Sequence, residues 1–337
     1  MANDLSIPEE YKDRKIWSYS RLSSYLGCPH SYYLGYVEKV KGKDNIYSAI
    51  GGLVHEVMED LQDNKLNKEE AKSKFINGVK DINLNGLDFN TETEKDGYIK
   101  SIIDFINKYE RVECESYQIE KKEFLEIDSN NILIMFIDLI VNISEDTIEI
   151  HDYKTSSKFK KEDLVKYGRQ LVLYAYTILS NNKNIKNVKI AWQMLKYYFV
   201  DYNGKQYQVK RNNLIGELKA KITKELKKLG FDDLTIESKI SSGVISNSIP
   251  EEVKDKFVLT PCVLYYEYNK ETISDMIDFV ITTIHTIEND KEFVGKDLSQ
   301  GTYFCDVLCS YSETCKYLKE HKMEDGCRFI TDEEDLF

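Results

Sequence analysis

Proline is scarce in this chain, with 4 residues among 337. No Ser/Gly-rich stretch separates two halves either, so no flexible linker of that kind divides it. The length suits one large domain with insertions, or two domains. No run of 18 apolar residues occurs, which excludes a membrane-spanning helix of the usual length. The opening segment MANDLSIPEEYKDRK lacks a leader pattern, so an intracellular location and no membrane partner are expected. Basic residues are outnumbered, 46 Lys and Arg against 58 Asp and Glu, for a net charge of −12. That argues against broad nonspecific affinity for nucleic acid, although it leaves room for a short basic groove. No GxxxxGK[ST] phosphate loop is present, so the chain carries no motor of that kind. Internal repeats and low-complexity segments are absent too.

Apolar residues make up 42% and charged residues 31%, the balance of a globular protein. Tyrosine is abundant, at 24. Burial is the plain reading for most of these, and base stacking the functional one. The seven cysteines are Cys28, Cys114, Cys262, Cys305, Cys309, Cys315 and Cys327. An odd count in an intracellular chain does not suggest a disulfide framework. Three of them crowd into CDVLCSYSETC, which points to a metal or cluster site.

Helix signals come first. SYSRLSSYLGC reads as a short helix capped by Ser18 or Ser20 and stopped before Pro29. AIGGLVHEVMEDLQDN carries an apolar stripe of Leu53, Val54, Val57, Met58 and Leu61. Two or more helices fill 68–111. Strands begin near residue 117: YQIEKKEFLEI and NILIMFIDLIVNI flank a DSNN turn, and TIEIHDYKTS follows after SED. A helix over KEDLVKYGRQLVLYAYTILS precedes a buried strand, VKIAWQMLKYYFV, with YNGKQYQVK as its hairpin partner. GELKAKITKELKKL and KETISDMIDFVITTIHTIEND read as helices, and the rest of 211–260 is charged and mixed.

Asp138 interrupts an otherwise apolar strand, where a lone carboxylate is costly unless something compensates it. A three-residue turn at Ser144–Asp146 would pair Ile143 with Thr147 and Asp138 with Asp152. Opposed residues share a face, with Cβ atoms about 5 Å apart. Two carboxylates so placed repel each other, and a hard divalent cation such as Mg²⁺ or Mn²⁺ removes the conflict. Lys154 lies one step further along the same face. Two acids on a metal with a lysine beside them suit hydrolysis of a phosphate ester. The plain alternative is an Asp–Lys ion pair at a strand end.

These segments, in this order, resemble the PD-(D/E)XK nuclease superfamily, in particular RecB-like exonucleases. SYSRLSSYLGCP resembles the family's opening segment, and GGLVHEVME its helix with a metal-binding histidine, here His55. FIDLI and HDYKTSS are similar to the two strands of its catalytic hairpin, giving Asp138, Asp152 and Lys154. GRQLVLYAY resembles the QxxxY helix, giving Gln170 and Tyr174. Cys28 with CDVLCSYSETC is similar to the split four-cysteine iron–sulphur site of AddB-type and CRISPR-associated exonucleases. The resemblance covers residues 18–315. Two departures stand out: Phe136 replaces a usual glycine, and Cys305 and Cys309 are separated by three residues where two are usual.

The resemblance implies a restriction-endonuclease-like α/β core, a small mixed sheet flanked by helices. It implies one nuclease domain over 1–337, with helical insertions near 60–111 and 205–270. His55, Asp138, Asp152 and the backbone carbonyl of Tyr153 would bind Mg²⁺ or Mn²⁺, with Lys154, Gln170 and Tyr174 completing the catalytic group. An acid on the preceding strand is implied too, Glu120 or Glu123. Cys28, Cys305, Cys309 and Cys315 would hold a 4Fe-4S cluster that ties residue 28 to 305–315; structural Zn²⁺ is the alternative. Arg21, Lys158, Lys160 and Lys161 are candidates for phosphate contact or for a solvated charge run. The expected function is a metal-dependent DNA exonuclease acting on free ends or single strands, with a helicase or recombination partner, bacterial or phage-encoded. The alternative is a catalytically silent DNA-binding or assembly subunit that keeps the fold. The acidic stretch TDEEDLF reads as solvated tail.

Overall fold

The computed structural model describes residues 6–112, 114–241, 248–299 and 301–331, with the main chain alone from 324. TDEEDLF therefore lies almost wholly outside the described residues, and so does the side chain of Cys327. The strands are β1 (Lys15–Trp17), β2 (Ser116–Glu126), β3 (Asn131–Ser144), β4 (Thr147–Lys154), β5 (Asn187–Tyr202), β6 (Lys205–Lys210) and β7 (Phe257–Tyr266). The helices are α1 (Tyr19–Gly27), α2 (Pro29–Tyr32), α3 (Ile46–Gln62), α4 (Lys68–Leu84), α5 (Glu92–Lys108) and α6 (Leu164–Asn181). They continue with α7 (Leu214–Lys228), α8 (Asp233–Ser241), α9 (Glu251–Lys254), α10 (Lys270–Asn289) and α11 (Lys316–Thr331). The strands form one mixed sheet in the order β1-β3-β4-β5-β6, with β2 on β3 and β7 on β5. This is the mixed, helix-flanked sheet expected of a restriction-endonuclease-like fold.

The chain divides into two compact units. One comprises Met1–Ala49, Lys122–Phe136 and Ile273–Phe337. Here Ser18 caps α1 by accepting the Arg21 N–H, as its position before the helix predicts. β1 runs parallel to the first residues of β3, from Lys15 opposite Asn131 to Trp17 opposite Leu133. The buried Trp17 indole donates to Asn131 Oδ1 at 2.8 Å, so neither polar group is orphaned. Arg21 stacks on Trp17, with its guanidinium carbon 4.3 Å from the ring centroid, and donates to the Ile16 carbonyl at 2.6 Å. Its guanidinium serves the packing of this unit.

The other unit comprises Ile50–Lys121 and Ile137–Thr272. β5 is its spine, with Ile190, Trp192, Met194, Leu195 and Val200 buried. Each such side chain contributes about 1.5–3 kcal/mol by leaving water, so the spine anchors every element around it. Asn203 and Gly204, at φ 53° and 70°, turn β5 into β6 in the left-handed geometry that tight hairpins need. The stripe on α3 is buried as expected at Val54, Val57, Met58 and Leu61, while Leu53 is half-buried against Gly78 of α4. Gly168 lets α6 approach the sheet, because a Cβ there would meet the Tyr266 ring at 2.3 Å. The stretch 205–270, expected as an insertion, contributes the hairpin strand β6 read from YNGKQYQVK and also β7, which was not expected.

The hairpin turn differs from expectation. Ser144, not Ile143, pairs with Thr147, and the register shifts between Asn142 and Ser144. The turn is one residue shorter than assumed and Ile143 bulges out, so the two changes cancel. The ladder therefore runs as expected, from Asn142 opposite Ile148 to Leu139 opposite His151. The paired ladder ends there, one residue short of Asp138 and Asp152.

Candidate metal centre and cysteine pocket

α3 carries His55 at the edge of its apolar stripe, and β3 and β4 bring Asp138 and Asp152 together. His55 Nδ1 lies 3.4 Å from Asp138 Oδ2, and the same oxygen accepts the Tyr153 backbone N–H at 2.7 Å. Lys154 Nζ lies 2.6 Å from Asp152 Oδ2 and 3.4 Å from Gln170 Oε1. Gln170 in turn donates to the Tyr174 hydroxyl at 2.7 Å, one turn along α6. The structure thus brings His55, Asp138, Asp152, Lys154, Gln170 and Tyr174 into one network.

Glu120 joins them from β2. His55, Glu120 and Asp138 offer three donor atoms within 4.8 Å of one another. The spacing of EKKE leaves Glu120 and Glu123 equivalent candidates. What separates them is the structure itself: Glu120 lies in the group with His55 and Asp138, at a φ of 47° inside a strand, a costly backbone state. Asp152 stands outside that close triad, engaged by Lys154.

The electrostatics are those of crowded acids. Burial and the charges of Asp138 and Glu59 push the Glu120 carboxyl up to about 7. Burial likewise raises Asp152, with Asp138 adding to it and Lys154 opposing. Burial also works against the Asp138 charge, but His55, Lys154 and the Tyr153 N–H outweigh it and hold this carboxyl below its ordinary value. For His55 burial favours the neutral ring, yet Asp138 prevails and pushes it up to about 9. Lys154 is held above its ordinary value despite burial, because Asp152 and Asp138 face it. The two carboxylates suit a hard divalent cation, and the imidazole nitrogen adds a borderline donor to them.

Lys158, Lys160 and Lys161 are exposed beyond β4. No helix among the described residues is long and apolar enough to cross a membrane.

The family model of the PD-(D/E)XK nuclease superfamily matches residues 16–316. This chain belongs to that superfamily. Two curated relatives, from Clostridium perfringens strains SM101 and ATCC 13124, are each named as one subunit of an ATP-dependent helicase/deoxyribonuclease. They are 26% and 25% identical over 375 residues, covering 94% of this chain. The chain spans 31% of the length of each. A solved structure from Eubacterium rectale, provisionally named an exonuclease, is 14% identical. It covers 77% of this chain and 90% of its own, at a TM-score of 0.35.

This PD-(D/E)XK chain has a second constellation. Cys28, Cys305, Cys309 and Cys315 line one small pocket, closed by Leu34, Leu298 and Leu318. Cys28 Sγ accepts the Ser31 N–H at 3.4 Å. Burial and the neighbouring thiols push Cys305 up to about 11. Burial raises Cys309 as well. Among the described residues the four sulfurs form no group in which three lie within 4.8 Å of one another. Cys114 and Cys262 are not part of this pocket's lining.

Proposed function

We propose that this chain is a metal-dependent deoxyribonuclease that hydrolyses phosphodiester bonds at DNA ends. The observation that carries the reading is the convergence of His55, Glu120 and Asp138 next to the Asp152–Lys154–Gln170 network. Those three side chains, with Asp152 and the Tyr153 carbonyl, would hold Mg²⁺ or Mn²⁺. When bound, such an ion supplies charge that offsets a phosphate and acidifies a bound water. The chain's own groups do the rest. Lys154, 2.6 Å from Asp152, would donate to the attacking water and to charge developing on phosphate. Gln170 fixes that amine through Oε1 and has a remaining amide N–H for the DNA backbone. Tyr174 sets the Gln170 amide. Lys158, Lys160 and Lys161, following β4, line a path for the strand.

The four-cysteine pocket supports a structural 4Fe-4S cluster joining residue 28 to 305–315. Structural zinc sites usually draw their cysteines from two close pairs, whereas here Cys28 stands far upstream of the other three, which favours the cluster. The relatives' names favour a helicase partner, since the chain itself has no phosphate loop. A silent subunit would not need to retain Asp138, Asp152 and Lys154 together.

The deciding assay offers end-labelled and circular DNA, single- and double-stranded, with and without Mg²⁺ or Mn²⁺. Cleavage confined to free ends is expected, and Asp152→Ala should abolish it. Cleavage of circles would sink the exonuclease assignment, and an Asp152→Ala variant as active as the parent would sink the site.

A further inference from the structure

Lys196 of β5 is half-buried and has no counter-charge of its own. Its ammonium sits over the Tyr98 ring of α5, 4.6 Å from the centroid. Among the described residues it is paired with no carboxylate, and Glu94 acts on it only from beyond ion-pair reach. Lys210 of β6 acts in the opposite sense, as a second positive charge facing it. The β5–β6 ladder sets Lys210 opposite Tyr197, the residue after Lys196. Lys210 is exposed and, among the described residues, also lacks an acid partner. Burial, helped by Lys210, lowers the Lys196 amine to about 8. The face of the Tyr98 ring therefore offsets only part of what burial and like charge cost.

The position of these charges ties them to the metal site. Lys154 stands opposite Met194 in the parallel β4–β5 ladder. Lys196 follows two residues later, about 6–7 Å further along the strand. The Tyr98 hydroxyl reaches toward Thr155, the residue after Lys154, without completing a hydrogen bond. Thr155 in turn lies against α3, where a Cβ on Gly51, one turn before His55, would meet its hydroxyl at 3.7 Å. The segment after β4 returns to the same stretch of β5, because the Lys158 N–H donates to the Tyr197 hydroxyl at 2.9 Å. Lys196 and Lys210 thus stand where β4 leaves the Asp152–Lys154 pair. Neighbouring cations without acids are held apart by repulsion until an anion reaches them. A chain of evenly spaced negative charges satisfies both at once, whereas one small anion serves only one of them.

We propose that Lys196 and Lys210 bind backbone phosphates of the DNA strand beyond the bond being cut. The proposal rests on the nuclease reading and adds contacts that reading does not contain. Both contacts are to phosphate, so they position the strand without reading its sequence. The test is titration of a labelled single-stranded oligonucleotide with the full chain across a range of salt, with chelator present so that nothing is cut. Each phosphate contact on a single strand contributes about 0.7 to the slope of log affinity against log salt. Lys196→Gln should flatten the slope by about 0.7 and weaken binding about fivefold at about 0.1 M salt. Lys210→Gln should do the same, and the double variant should flatten the slope by about 1.4. Lys210 is exposed, so it reports even if Lys196→Gln fails to fold. Lys196→Arg keeps the charge and should keep the slope. With Mg²⁺ supplied, Lys196→Gln should raise KM for DNA and leave kcat near that of the parent, the mark of a contact made equally before and during cleavage. An unchanged slope in Lys196→Gln and Lys210→Gln overturns the proposal. So does an equal flattening in Lys80→Gln, which removes an exposed charge from α4, because the effect is then diffuse. A slope lost equally in Lys196→Arg shows a packing role and overturns the Lys196 contact. A parent chain that cuts DNA while both Gln variants keep the full slope overturns this proposal alone. A parent that neither binds nor cuts DNA overturns the nuclease reading with it.

Discussion

Asp138 Oδ2 accepts the backbone N–H of Tyr153 at 2.7 Å, an extra rung between β3 and β4 beyond the paired ladder. That bond fixes one acid of the hairpin through main chain, while the other is fixed through Lys154. The two carboxylates therefore stand in different electrostatic states before any ligand arrives. Asp138 is held ionised by His55 and the N–H, and Asp152 is raised by burial. Opposed acids with split proton affinities are a recurrent property of hydrolytic sites.

The Asp152–Lys154 pair separates stability from catalysis. Asp152 is 2% exposed, so removing only its partner leaves a buried charge and costs about 3–5 kcal/mol, against ~0–1 for a surface pair. Lys154→Met should lower both thermal stability and DNA cleavage, the latter by about 10²–10⁴-fold. The double variant Asp152→Asn/Lys154→Met should regain most of the stability and none of the activity. Melting curves beside a single-turnover assay read both. A double variant as unstable as the single one would show that the ion pair is not the cause.

Glu120 and Glu123 give opposite expectations. Glu120→Gln removes one acid from the triad with His55 and Asp138, so half-maximal activity should require at least about tenfold more Mn²⁺. Glu123→Gln should leave the titration unchanged. Equal effects of the two substitutions would remove Glu120 from the metal centre.

Most of the site is legible in the sequence because its spacing survives local error. The turn after Ser144 is shorter than its residues suggest, yet the bulge at Ile143 restores the expected ladder as far as Leu139 opposite His151. Period-two alternation constrains a strand more firmly than turn type does. The i, i+4 spacing of Gln170 and Tyr174 is readable for the same reason. β7 is not, because Pro261 sits inside it and proline argues against a strand. The structure tolerates it where β5 shifts register between Gln193 and Tyr198, opposite Pro261. Nor is Glu120 readable, since only the structure places it with His55 and Asp138.

The cysteine pocket makes a prediction independent of DNA. Cys28→Ser or Cys309→Ser should lower the iron content of anaerobically purified protein and bleach its brown colour. Each should also lower the melting temperature, because Cys28 and Cys309 then no longer tie the ends of the first unit together. Cys114→Ser should change neither. Colourless parent protein with one zinc per chain would overturn the cluster.

Glu225 supplies a pH test of the scaffold apart from the site. It is 1% exposed, and it accepts the Tyr202 hydroxyl at 2.6 Å and Lys228 and Lys256 at 2.7 Å each. Those hydrogen bonds, Lys228 first, lower its carboxyl from 4.5 to about 2. The folded value lies below the unfolded one, so its contribution is complete above about pH 4.5 and fades as the pH falls toward 2. Glu225→Gln should therefore melt at a lower temperature than the parent at pH 7, and the gap should narrow steadily below pH 4.5. Thermal melts from pH 7 to pH 3 check this. A gap that stays constant over that range would show that the three hydrogen bonds act through geometry and not through the charge.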